Sequence, residues 1–514
     1  MLNNSQPITF KQTKFKNSQY KSVLILNMPI IGLNNPPMGP AIIQALAKQH
    51  DMASTFIDVN LELQELLETD PSKDKILSQW CTGLESTLTN QEQQLLGSLV
   101  DSILPKNFND YDLLSISVFS MHSHAFTTWF LQHYRSVYTG KIVIGGAGVG
   151  TPDQVGETYG SAVLKKNLID YYIVGEGEYA WQAVVTDTLP YKGVNSELVE
   201  SLENFDDIPL PDYTGYDLAR YYNSKARGIT IGVEGSRGCV RNCTFCDIKS
   251  FWKKYKYKDG AKLASELIML KEKYSVEHFF FNDSLINGSD RAFRDFITVL
   301  ADYNKTHEQR IKWSAYYIIK QASTYKEQDW INLKNSGVQA LYIGIESGSE
   351  SVREHMKKKF SDEDIEHAMN KIQRYGIHCT WLMIIGYPTE TQADFEKTLD
   401  MLTKYQHMAV DRTIDTLALG LTLNITEGSP LGHMKDELNI QSVIQDHYGG
   451  VYWKTDANDF ETRLAWRIQA EKLVRELGYN SWVGDNDVVQ YFEKRLEDIQ
   501  QGKITNYDIA DIHG

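Results

Sequence analysis

Short apolar runs recur along the chain, separated by stretches with helical spacing. Between residues 21 and 188 they are SVLILNMP, TFIDVN, LLSISVF, KIVIGGA and YYIVGEG. They read as near-continuous Val, Ile and Leu, not as alternating apolar and polar positions. That is the pattern of strands covered by helices on both faces, and so of a parallel sheet. Several of the runs end in glycine or proline turns, where ligands bind in such sheets. The stretch 61–110, rich in Leu, Gln and Glu, is longer than one crossover needs and predicts two or three further helices.

From 189 to 227 the periodicity fades, and NFDDIPLPDYTGYD joins acidic residues to Pro209 and Pro211 in the manner of an extended linker. A second series begins at 228: GITIGVE, EHFFFND, IKWSAYYII, ALYIGIES, HCTWLMIIGY and TIDTLALGLTL. Amphipathic segments such as DGAKLASELIMLKEKY and DEDIEHAMNKIQRYG lie between successive members. Six strands joined by helices predict a partial barrel, with chemistry gathered at the strand C-termini. The expected fold class is α/β. An N-terminal extension (1–20) precedes a doubly wound, flavodoxin-like parallel sheet (21–188). The linker (189–227) leads to a partial (β/α)6 TIM-like barrel (228–436), and a helical C-terminal region (437–514) is expected to close its open side.

Length agrees with this division, since 514 residues exceed what one core organises, a limit near ~250–300. Hydrophobic residues at 42% and charged residues at 23% are ordinary for a globular protein. A formal charge of −15 argues against a general nucleic-acid partner, which needs Lys and Arg to displace counterions, and favours a small-molecule or peptide substrate. No run of 18 apolar residues occurs, and the opening MLNNSQPITFKQTKFKNSQY lacks a signal peptide's apolar core. The expectation is a cytoplasmic protein without a membrane partner.

Five cysteines are present, and three of them crowd into eight residues of GSRGCVRNCTFC, directly after the first strand of the second series. Crowding of this kind suits metal binding in a reducing compartment better than disulfides. Cys81 and Cys379 read as buried packing residues. In CxxxCxxC, Cys239, Cys243 and Cys246 lie close enough for one loop to wrap one centre. Structural zinc takes four protein ligands, commonly as two pairs; no second pair exists, and the next histidine, His278, is far downstream. A 4Fe-4S cluster held by three cysteines leaves one iron open for a small molecule. Two other readings stand beside it: a CxxC redox pair at Cys243 and Cys246, and zinc completed by a distant histidine.

With Phe245 before the last cysteine and Ser236, Arg237 and Gly238 leading into the loop, the segment resembles the radical S-adenosylmethionine (SAM) superfamily. The resemblance implies that SAM chelates the open iron and that one electron cleaves it to a 5′-deoxyadenosyl radical. It also implies a protein electron donor such as flavodoxin or ferredoxin. Strand alternation in LYIGIES puts Tyr342, Gly344 and Glu346 on the face opposite Leu341, Ile343 and Ile345, so that Glu346 points into the barrel. The segment resembles the family's fourth strand, which implies SAM contact at Glu346 and Ser347; the alternative is a loop carboxylate near the next helix. FFFND, with Asn282 and Asp283, resembles another segment close to SAM, or supplies a helix cap. GYPTET resembles the adenine-side motif, with Gly386, Pro388 and Glu390 matching, or is an ordinary strand-to-helix turn. KSFWKKYKYKDGAK places six lysines beyond the cysteine loop, either easing the cost of an electron-rich centre or forming a solvated basic face.

The order of features in 21–188 resembles the cobalamin-binding domain that precedes the barrel in one subgroup of that superfamily. NNPPMGPAIIQALAKQH, TFIDVN, KIVIGGAG and IVGEGEYA carry the likeness. It implies cobalamin contacts at Pro37, Ser117, Gly145, Gly146, Glu176 and Gly177. The DxHxxG signature that supplies a histidine to cobalt is absent, and His122 and His124 in SMHSH are open both to helix-start packing and to cobalt contact. The expected activity is a cobalamin-dependent radical SAM methyltransferase acting on an unactivated carbon or phosphorus. A rearrangement or cyclisation enzyme without methyl transfer, and a non-catalytic iron–sulfur or zinc protein, are the alternatives.

Overall fold

In a parallel sheet each strand must bury both of its faces, and the first five strands show how this sequence does so. They are β1 (Ser22–Asn27), β2 (Ala53–Asp58), β3 (Leu113–Ser117), β4 (Lys141–Gly145) and β5 (Tyr171–Tyr172). All pairings are parallel, in the order β2-β1-β3-β4-β5. Leu24 and Leu26 of β1 face a core with Leu114, Ile116, Phe126 and Phe130, supplied in part by the helix His124–Tyr134. Val23 and Ile25 face the other core, with Ile42, Leu46, Trp181 and Val184 from the helices Met38–Gln49 and Gly177–Val185. Two cores, one on each face, explain the unbroken apolar runs.

The structure, a computed structural model, describes residues 17–29, 31–68, 89–151, 157–197, 202, 204–419, 423, 425–426, 428–445, 451–481 and 486–501. Within 61–110 it contains the helices Val59–Glu68 and Asn90–Ile103 and the turn Phe108–Asp110. Cys81 lies outside the described residues. The chain divides into two compact units, Met1–Gly232 and Val233–Gly514. The expected linker is packed, not loose: Leu202, Phe205 and Ile208 are buried in the first unit's core. Isolated apolar anchors between turns have no period, which is why the segment reads as a connector.

The second sheet contains β6 (Thr230–Val233), β9 (His278–Phe281), β10 (Lys312–Tyr317), β11 (Val338–Glu346), β12 (Cys379–Met383) and β13 (Ile414–Leu419). The short β7 (Ser236–Arg237) and β8 (Lys256–Tyr257) pair with each other. Sheet order β6-β9-β10-β11-β12-β13 follows chain order, and the pairs from β9 to β13 are parallel. This is a partial barrel built by repeated strand–helix units. Its last strand gains an edge partner from the C-terminal region, where Leu417 N donates to Asn480 O at 2.8 Å. That region is not wholly helical. The hairpin β14 (Gln441–Gln445) and β15 (Val451–Lys454) precedes the helices Phe460–Glu476 and Asn486–Gln500, its strands rich in β-branched and aromatic residues. Among the described residues no helix is long and apolar enough to cross a membrane.

Candidate functional site

The cysteine loop leaves the end of β6 and is stapled at its root. Asp283, after β9, accepts from Gly235 N (2.8 Å) and from the Ser236 hydroxyl (2.6 Å). Arg237 forms a two-point pair with Glu234 and lies over the Trp252 ring, 5.1 Å from its centroid. Gly238 has φ +80°, and a Cβ there would lie 2.8 Å from Lys254 O, so only glycine fits the turn that delivers Cys239. Lys249 Nζ then donates to Cys239 O at 2.6 Å.

Thr244, fully buried between the second and third cysteines, ties the loop to three other segments. Its N–H donates to Met356 O, its hydroxyl lies 2.7 Å from the Tyr387 hydroxyl, and its carbonyl accepts from Leu431 N. The three thiols lie within reach of one another's charge. Burial pushes Cys243 up to about 11 and also raises Cys246, while the Lys358 ammonium opposes both shifts. Cys243 and Cys246 are therefore protonated at neutral pH until a metal replaces their protons. Among the described residues no three His, Cys, Asp or Glu side chains are gathered tightly enough to hold a single ion. Cys379 is buried in β12, and His278 Nε2 lies 3.0 Å from Ser314 Oγ inside the sheet, so neither is offered to the loop. Three soft donors without a fourth fit a cluster with one open iron.

Glu346 ends β11 beyond a register shift, with φ +69°, a left-handed conformation that costs a non-glycine residue about 1–3 kcal/mol. Leu341, Ile343 and Ile345 are fully buried on one face, while Tyr342 and Gly344 are half-buried on the other. The Glu346 carboxylate folds beside Gly344, where a Cβ would meet its Oε1 at 2.2 Å. Its partner is Lys358, whose Nζ lies 2.9 Å from Oε1 and 5.9 Å from the centre of the Phe245 ring. No motif in the sequence marks Lys358. Nor does one mark the cluster of Phe280, Tyr316 and Tyr342, half-buried rings at 5.8 and 5.3 Å on the sheet face that Glu346 shares.

The remaining expected residues divide. Ser347 is buried, and its hydroxyl accepts from Ser349 N within the turn. Asn282 is exposed, whereas Asp283 is spent on the root of the loop. Glu390 accepts from Gly386 N and Tyr387 N through one oxygen. Its other oxygen has no hydrogen-bond partner, and burial pushes the carboxyl up to about 7. Asp283 is pushed up to about 7 by the same cause. Both carboxyls hold a proton when folded that the unfolded chain releases near 4.5 and 3.8. Their contribution to stability is complete below those values and is lost as pH rises to about 7. Glu390→Gln is expected to flatten the loss between pH 5 and 7.5 by roughly 3 kcal/mol, read as the difference from wild type in urea unfolding at the two pH values.

In the first unit Asn27, Ser117 and Gly145 stand in register at the C-terminal edge of β1, β3 and β4, where the strand order reverses direction. Gly146 has φ +107°, and a Cβ there would lie 2.5 Å from Val118 O. His124 Nε2 lies 2.8 Å from Gly148 O and its ring stacks on Tyr159 at 4.0 Å, so it braces this loop. Pro37 and Glu176 precede the helices Met38–Gln49 and Gly177–Val185; the Glu176 carboxylate accepts from Leu202 N at 2.5 Å. Gly177 begins the second of these helices, half-buried. Phe119, on the loop after β3, is 54% exposed, an apolar face at the C-terminal edge of the sheet that periodicity does not single out.

The family model described as Radical SAM superfamily matches residues 233–402. Those residues are a radical SAM domain. The match begins with the last residue of β6 and ends in the helix Gln392–Lys404, so it contains the cysteine loop, the Glu346–Lys358 pair and the Gly386–Glu390 loop. A methyltransferase of Pyrococcus horikoshii, itself uncharacterised, is 28% identical over 255 residues, covering 46% of this chain and 53% of that protein. The cytidylyl-2-hydroxyethylphosphonate methyltransferase of Streptomyces wedmorensis is 26% identical over 232 residues, 42% of this chain and 41% of its own length. The chain thus spans about half the length of these curated relatives. Among solved structures, the cobalamin-dependent SAM radical enzyme OxsB, with aqua-cobalamin and SAM bound, matches with a TM-score of 0.63 at 15% identity. That match covers 89% of this chain and 67% of OxsB, a likeness of fold across both units.

Proposed function

We propose that this protein is a cobalamin-dependent radical SAM methyltransferase, acting on an unactivated carbon or phosphorus of a small-molecule or peptide substrate in the cytoplasm. The observation that carries the reading is the set of three loop thiols with no fourth protein ligand among the described residues, in a chain whose other unit presents a 2-1-3-4-5 sheet with a glycine-lined edge. When bound, the cluster supplies the electron that splits SAM, and cobalamin supplies a methyl group to the substrate.

The chain's own residues bind, orient and shield. Cys239, Cys243 and Cys246 hold the cluster, and Thr244 fixes the loop against Met356, Tyr387 and Leu431. Glu346, aligned by Lys358, presents a carboxylate to the sugar or amino group of SAM. The rings of Phe280, Tyr316 and Tyr342 exclude water from the barrel face where a radical would form. Ser117, Gly145 and Gly146 let a corrin ring approach the sheet edge closely, and Phe119 offers it an apolar contact. The phosphonate methyltransferase and the OxsB complex support the methyl-transfer and cobalamin parts of this reading. A flavodoxin- or ferredoxin-like protein is the proposed electron donor.

Protein purified anaerobically is expected to contain about four irons per chain and to show cluster and corrinoid absorption together. With dithionite it should convert SAM to 5′-deoxyadenosine. One zinc per chain without iron, or no 5′-deoxyadenosine from iron-loaded protein, would overturn the proposal. Product mass separates methyl transfer, which adds a fixed increment, from rearrangement or cyclisation.

A further inference from the structure

The family match stops at residue 402, yet the loop Gly386–Glu390 is held by residues far beyond it. Among the described residues, every backbone carbonyl bond that fastens this loop from outside comes from one turn, residues 455–458. Thr455 Oγ1 donates to Pro388 O at 2.8 Å, and Asn458 Nδ2 donates to both Tyr387 O (2.9 Å) and Glu390 O (2.8 Å). Asn458 is itself held, because its Oδ1 accepts from Arg463 Nη1 at 2.8 Å.

Arg463, in the first turn of the helix Phe460–Glu476, is 2% exposed. Its Nη2 donates to Trp453 O at 2.6 Å, and its guanidinium lies over the Trp453 ring, 3.8 Å from the centroid. Among the described residues no carboxylate pairs with it directly, and Nε has no hydrogen-bond partner, so this buried cation is spent on one carbonyl, an amide and a ring face. Its stem occupies the space beside Gly386, which has φ +84°; a Cβ at Gly386 would meet Arg463 Cδ at 2.0 Å and Cγ at 2.3 Å. The glycine of GYPTE is therefore required from both sides, by its own backbone and by an arginine about 80 residues downstream.

We propose that Thr455, Asn458 and Arg463 are positioning residues that set the Gly386–Glu390 loop for the adenosine half of SAM, so that the C-terminal region completes the cofactor site. The inference rests on the reading of this barrel as a SAM site. The clasp's own hydrogen bonds end on the backbone of the loop on the adenosine side. That loop meets the cysteine loop through the Tyr387 hydroxyl, 2.7 Å from Thr244 Oγ1, while the cysteine loop is also held by the Thr244 backbone, Asp283 and Lys249, and Glu346 by Lys358. Loosening it is therefore expected to weaken adenosine recognition while leaving the cluster intact.

The test uses full-length, cluster-loaded protein carrying Asn458→Ala, Thr455→Val or Arg463→Lys. The SAM concentration that half-saturates the change in the reduced cluster's electron paramagnetic resonance spectrum should rise roughly tenfold in Asn458→Ala, the scale on which outer-shell partners act. Thr455→Val should show a smaller rise, and Arg463→Lys, which keeps the apolar stem beside Gly386 and one cationic donor, should remain close to wild type. Iron per chain and the SAM-saturated spectrum should not change. Calorimetry should show 5′-deoxyadenosine binding weakened in parallel, whereas the spectral change induced by methionine alone should be unaffected. Wild-type affinity for SAM and 5′-deoxyadenosine in both Asn458→Ala and Thr455→Val overturns the clasp, as does equal weakening of methionine. A wild-type spectrum that does not respond to SAM overturns the SAM reading itself, and the clasp with it.

Discussion

Cys246→Ala is expected to strip the protein of its iron, taking it from about four atoms per chain to less than one, and to reduce 5′-deoxyadenosine formation to background. Two thiolates cannot hold a cluster that already leaves one iron without a protein ligand, and no substitute stands nearby among the described residues. Cys379 is sealed in β12, and His278 is committed to Ser314. The fold should survive, because the loop's root is held by Asp283 and its middle by Thr244, neither of which depends on the thiol. Circular dichroism would check this. Cys379→Ala is the control: it should leave iron and SAM cleavage unchanged. Full iron in Cys246→Ala, or iron lost from Cys379→Ala, would mean that the ligand set has been misassigned.

The second large effect is expected at Lys358→Met. The Lys358–Glu346 pair is nearly inaccessible, with each side chain 10% exposed. Removing one member leaves a buried charge without its partner, a loss of about 3–5 kcal/mol in comparable cases. That is a large part of the ~5–15 kcal/mol by which domains are usually stable. Glu346→Gln combined with Lys358→Met should restore most of the stability, because the uncompensated charge is gone; the coupling is read from a double-mutant cycle in urea. The single substitution has a second consequence. Lys358 is the cation that opposes the burial-driven rise at Cys243 and Cys246, so iron uptake by Lys358→Met should need a higher pH than in wild type. Additive single-mutant losses would show that Glu346 and Lys358 do not act as a pair, and uptake with unchanged pH dependence would show that Lys358 is not linked to the thiols.

These two sites differ in how legible they are in the sequence. The cysteine loop is local: three ligands within eight residues, after a strand and among glycines, carry their chemistry in their spacing. Glu346 is nearly as legible, since strand alternation alone puts it on the face of Tyr342 and Gly344. Lys358 is not. It sits among three consecutive lysines, 357 to 359, which in sequence form a basic surface run. In the structure Lys357 and Lys359 both adopt positive φ, at +59° and +57°, and the turn they make sends the middle lysine inward. The stretch KSFWKKYKYKDGAK divides in the same way. Lys249 holds the Cys239 carbonyl, Lys258 is buried against Glu266, and Lys253 and Lys254 remain exposed.

Periodicity and short-range spacing are properties of the chain itself, so the succession of strands, the two parallel sheets and the three-thiol loop are determined by the sequence alone. What only the tertiary structure decided are the partners. Thr244 joins four segments, Lys358 meets Glu346, His124 turns to Gly148, and Asn458 and Arg463 reach back about 70 residues to one glycine loop. A hydrogen bond or ion pair depends on an approach of about 3 Å. Sequence distance says nothing about such an approach until burial of the two faces of each sheet has brought the segments together.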